Sequence, residues 1–97
     1  MVGEATALTG ESELLTLADL VLQESATITA VSVGSGGVNE TALRRLAEIG
    51  FLPGERVKVV ARVPGGDPMA VRVGNSTFAL RRREALCVHV RVRQPNE

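Results

Sequence analysis

Residues 48–60, EIGFLPGERVKVV, join a helical pattern to a strand pattern. Upstream, NETALRRLAEIG (39–50) repeats Leu43, Leu46 and Ile49 at helical spacing. Asn39 suits the N-cap, where a side-chain oxygen accepts from a free backbone N–H, and Glu40 favours the first turn of the helix dipole. Gly50 stands where a helix end needs left-handed backbone, which costs little without a Cβ. With Gly50 at C′, Phe51 falls at C″ and Leu46 at C3, positions that meet in the common glycine-terminated helix end. Pro53 forbids resumption of the helix, and Gly54 completes a turn. The joint is thus expected to stop a helix, pin Phe51 onto it, and aim the chain into a strand.

From that point the chain alternates. RVKVVARV (56–63) sets Val57 and Val59 against Lys58 and Arg62. PGGDP (64–68) is turn chemistry, with Asp67 expected to cap local backbone. MAVRV (69–73) turns Met69, Val71 and Val73 inward, and Gly74-Asn75 signals a tight hairpin into TFAL (77–80). A basic turn, RRRE (81–84), leads to LCVHVRV (86–92), with Leu86, Val88, Val90 and Val92 on one side. Ahead of the helix, ATITAVSV (26–33) reads as a strand with Ala26, Ile28 and Ala30 on one face and Val31 and Val33 on the other. Leu15, Leu17, Leu20 and Leu22 suggest a short helical turn before it, and GSGG (34–37) a flexible connection after it. The fold class is mainly β: a small five-stranded barrel with one α-helix inserted after the first strand. Residues 1–15 are expected to form a flexible leader, 16–93 the domain, and 94–97 a frayed tail.

A chain of 97 residues fits one modest core, and with 44% hydrophobic but only 2% aromatic residues, Val, Leu and Ala must fill it. No run reaches the roughly 18 apolar residues of a membrane span, so no direct membrane insertion is expected. The N-terminus lacks the basic start and apolar middle of a secretory signal. A single cysteine cannot close an internal disulfide, which fits a reducing compartment, and a cytoplasmic protein is expected. The N-x-S/T triplets at Asn39 and Asn75 are then chance matches. Net charge is zero but uneven: residues 1–43 carry six acids and no base, while residues 44–97 carry eleven bases and five acids. An anionic partner for the second half is allowed, and a solvated basic face is the plainer expectation.

The chemical inventory is sparse. A strand, GSGGVN and a helix resemble the start of a dinucleotide-binding unit, but Asn39 replaces the third glycine and only hairpins follow. No GK[ST] is present. Cys87 and His89 are the lone thiol and imidazole, expected to project together from one strand face. Two ligands could touch Fe2+ or Zn2+, but a structural zinc site normally has four, so a surface Cys and His beside Arg91 and Arg93 is the preferred expectation. No catalytic residue and no cofactor is expected. Arg81, Arg82 and Arg83, with Arg44 and Arg45, could form a basic patch, yet RNA-binding barrels add aromatic platforms and this chain has no Trp or Tyr. No nucleic-acid partner is expected, and a proline-rich peptide groove would also need aromatic walls.

Taken together, ALRRLAEIGFLPGERVKVVARVPGGDPMAVRVGNSTFALRRREALCVHV closely resembles the FeoA family of small bacterial proteins. The shared order is paired bases at Arg44-Arg45, then Ile49-Gly50, Pro53-Gly54, Gly66-Asp67-Pro68, Ala79-Leu80-Arg81 and Glu84-Ala85. The likeness runs from about residue 16 to 92, departing at Leu22-Gln23, where many relatives have Pro-Gly. It implies an SH3-like barrel, a non-enzymatic cytoplasmic role in ferrous iron uptake, and contact with the GTP-binding domain of the FeoB transporter. Iron-dependent repressors share the module, but this chain has no helix-turn-helix before it. Under that resemblance the expected contact surface comprises Arg44, Arg45, Glu48, Phe51, Leu52, Arg81 and Arg82. From its C″ position Phe51 is equally expected to be wholly buried. Self-association through exposed strands is compatible with the fold. An SH3-like module binding a metal through Cys87 and His89, or binding RNA, is the alternative.

Overall fold

The computed structural model describes residues 15–33 and 38–92. Helix α1 (Glu40–Glu48) begins where Asn39 Oδ1 accepts from the Ala42 N–H at 3.0 Å. It ends in both hydrogen bonds of the glycine-terminated motif: Gly50 N–H to Ala47 O at 3.1 Å and Phe51 N–H to Leu46 O at 2.9 Å. Gly50 has φ +119°, and Leu46 and Phe51 are both buried. The expected joint is present.

The strands are β1 (Leu15–Thr16), β2 (Ser25–Val31), β3 (Arg56–Arg62), β4 (Met69–Val73), β5 (Ser76–Leu80) and β6 (Val88–Arg91). All pairings are antiparallel, in the order β1-β6-β2-β3-β4-β5. Five expected strands are therefore joined by a sixth, the two-residue β1, which pairs Leu15 with Val90 and Thr16 with His89. Sequence pattern assigned these residues to a helical turn. The helical part is confined to a 3₁₀ turn at Leu17–Asp19, where Asp19 accepts from both the N–H and the hydroxyl of Thr16. Leu17 and Leu20 are buried but Leu22 is exposed, so the leucines do not share one inward face.

One aliphatic core fills the curled sheet. Ala26 and Ile28 of β2 meet Val57 and Val59 of β3, Met69, Val71 and Val73 of β4, and Val88 and Val90 of β6. Leu46 and Phe51 close it from the helix side. Alternation breaks twice. A bulge between Ile28 and Ala30 leaves Ala30 exposed, against the expected inward face, and a second interrupts β3 between Val59 and Ala61. RRRE is partly helical: α2 (Arg82–Ala85) starts with the Arg81 N–H on Glu84 Oε1 at 2.9 Å. Asp67 also caps this helix, accepting from the Arg82 N–H at 3.1 Å, so its expected capping role reaches across the chain rather than within its own turn. Gln23 takes φ +71°, in the left-handed region that residues with a Cβ seldom adopt. The Gln23 N–H donates to Val59 O at 2.6 Å, and that bond anchors the turn to the sheet. The expected leader (apart from Leu15), the expected tail and the GSGG connection lie outside the described residues.

Candidate functional site

Helix α1 turns Leu46 into the core and leaves Arg44, Arg45 and Glu48 exposed. Arg44 and Glu48 are four residues apart, so they stand on one side of the helix with opposite charges. In the joint that follows the helix, Leu52 is 44% exposed. Its backbone is fixed on both sides: the Leu52 N–H donates to Gly50 O at 2.9 Å, and Leu52 O accepts from the Glu55 N–H at 3.0 Å. An apolar side chain is thereby held in water by an ordered turn.

Phe51 does not belong to that surface. It is 0% exposed, with its ring 6.0 Å from that of Phe78 at an interplanar angle of 60°. The C″ position drives it inward against Leu46, and edge-to-face packing on Phe78 fixes the ring. Of the two expectations for Phe51, burial is the one observed. Arg81 and Arg82 are exposed but lie at α2, a different element from that of Arg44 and Arg45.

The Cys87–His89 pairing expected from period two is not formed. Cys87 precedes β6, in the turn after α2, and is fully buried, with its thiol donating to Arg83 O at 3.4 Å. The expected surface cysteine is thus a core residue, because the strand starts at Val88, two residues later than alternation implied. His89 is half-buried on β6, with Nε2 3.0 Å from Ser32 Oγ. Among the described residues, no three His, Cys, Asp or Glu side chains converge to hold a metal ion. No helix among them is long and apolar enough to cross a membrane. Sequence reasoning missed Arg62, whose guanidinium donates to Leu20 O and ties β3 to the N-terminal turn. Only the three-dimensional path of residues 17–24 brings that carbonyl within reach.

A family model described as the FeoA domain matches residues 15–92. The chain belongs to the FeoA family. Its fold is accordingly SH3-like and mainly β, and the family links it to ferrous iron transport. Comparison with curated proteins gave no match.

Solved structures agree. FeoA of Stenotrophomonas maltophilia, complexed with zinc, is 44% identical, with 78% of this chain and 88% of that one covered at a TM-score of 0.69. It is described as a procaryotic SH3 domain protein and a candidate activating factor of bacterial ferrous iron transport. FeoA of Chlorobium tepidum is 28% identical over 86% of this chain and 74% of that one, with a TM-score of 0.73. Iron(II) transport protein A of Clostridium thermocellum is 35% identical over 80% of this chain and 45% of that one, with a TM-score of 0.69. A manganese-dependent transcriptional repressor shares the fold alone, at 22% identity and a TM-score of 0.68.

Proposed function

We propose that this FeoA-family chain is a non-enzymatic, cytoplasmic accessory protein of ferrous iron uptake. It acts by protein contact with a FeoB-type transporter, at its cytosolic GTP-binding domain. The observation that carries this reading is the fixed, solvent-facing Leu52 in the joint that follows α1, whose Arg44, Arg45 and Glu48 are also exposed. A rigid apolar contact beside charges is the usual composition of a small interface, where the apolar group supplies affinity and the charges guide encounter. The lone buried thiol supports a reducing compartment.

Arg44→Glu combined with Arg45→Glu should leave the thermal unfolding midpoint nearly unchanged, since both side chains are exposed. Calorimetry against the transporter's cytosolic domain should then show affinity weakened by about tenfold. Unaltered affinity would reject this surface.

A further inference from the structure

On the outer face of the sheet, Ser25 of β2 stands opposite Lys58 of β3, Lys58 opposite Arg72 of β4, and Arg72 opposite Thr77 of β5. Four strands thus contribute one row of side chains that all carry hydrogen-bond donors, with two cations at its centre. Like charges directly opposite one another weaken a sheet, so the Lys58–Arg72 pair is not explained by stability. Arg56 lies two residues before Lys58 on the same outward face, because Val57 between them is buried. These three cations, with Ser25 and the acid Glu55, line a trough of about 370 Å³ open to solvent.

We propose that this trough, whose lining includes no residue of α1, binds an extended acidic segment of a protein partner. Residues Arg56 and Lys58 are spaced as alternate residues of a strand, roughly 6.8 Å apart, which is also the spacing of alternate side chains in an extended ligand. Arg72, about one strand spacing of 4.8 Å from Lys58, can share a carboxylate with it or hold one through two parallel hydrogen bonds. A lone phosphate would occupy the Lys58–Arg72 pair and leave Arg56 unused. Single-stranded nucleic acid would need stacking surfaces, and no aromatic residue lines the trough. The site needs only carboxylates at alternate positions, whichever protein carries them.

The test uses the full chain, isotope-labelled for amide NMR, and a peptide with glutamate at every second position. Binding should shift the amides of Arg56, Lys58 and Arg72 saturably and weaken steeply as salt is raised from 0.05 to about 0.5 M. Lys58→Glu with Arg72→Glu should lower affinity by about tenfold, and Lys58→Gln with Arg72→Gln by a smaller factor, with both variants keeping the dispersed spectrum of the parent. A peptide with glutamine in place of glutamate should not bind. Equal binding of the glutamine peptide, or shifts that avoid the trough, would overturn the proposal. So would tighter occupation of the trough by inorganic phosphate, by a single-stranded oligonucleotide, or by a peptide of this chain's own residues 1–14.

Discussion

Phe51→Ala should lower the free energy of unfolding by about 3–5 kcal/mol in urea denaturation. The residue is fully buried, and its ring is the largest wholly enclosed side chain in a core otherwise built of Leu, Ile, Val, Ala, Met and Cys. Removing it deletes transfer free energy and leaves a cavity that short aliphatic neighbours fill poorly. It also strips Phe78 of its edge-to-face partner and the helix end of its C″ contact. A domain of this size has roughly 5–10 kcal/mol in total, so the variant should be partly unfolded at moderate temperature. Leu52→Ala, one residue along but 44% exposed, should cost under about 1 kcal/mol. Equal losses at the two positions would mean that the joint does not divide core from surface as described.

Gly50→Ala should destabilise the chain by about 1–3 kcal/mol through backbone strain alone. No steric clash contributes: a Cβ at Gly50 would sit 3.7 Å from Val73 Cγ1, an ordinary van der Waals distance. The cost arises at φ +119°, well beyond the left-handed well near +57° that Asn tolerates. Gly50→Asn should therefore recover only a small part of the loss. At an unstrained position, replacing glycine by alanine stabilises by about 0.4–1 kcal/mol through the unfolded chain. A gain of that kind at position 50 would contradict the helix-stop geometry.

Much of this architecture was legible because local chemistry and tertiary packing agree. Asn39, Leu46, Gly50 and Phe51 each occupy the helix position their side chains favour, so the joint could be read from spacing. The β4 strand matched its alternation residue for residue, as both faces keep one role throughout. Failures cluster where a backbone irregularity resets the period. The bulge after Ile28 turned Ala30 outward, and the turn after α2 placed Cys87 inside the core instead of beside His89. Period-two reasoning has no term for an inserted residue.

The candidate surface was legible only in part. Exposure of Arg44, Arg45 and Glu48 follows from the helical stripe, whereas the choice between a buried and an exposed Phe51 needed the fold. The row from Ser25 to Thr77 was not readable at all, since it depends on the register of three separate strand pairs. Alternation assigns Lys58 and Arg72 to outer faces but does not say that they stand opposite each other.

The proposed docking role is most directly tested by amide chemical-shift mapping of the labelled chain during titration with the transporter's cytosolic GTP-binding domain. Saturable shifts at Arg44, Arg45, Glu48 and Leu52 are expected, extending across the exposed side of α1 and the joint. A titration that reaches saturation while leaving α1 and Leu52 unmoved, or one that shows no binding at all, would contradict it.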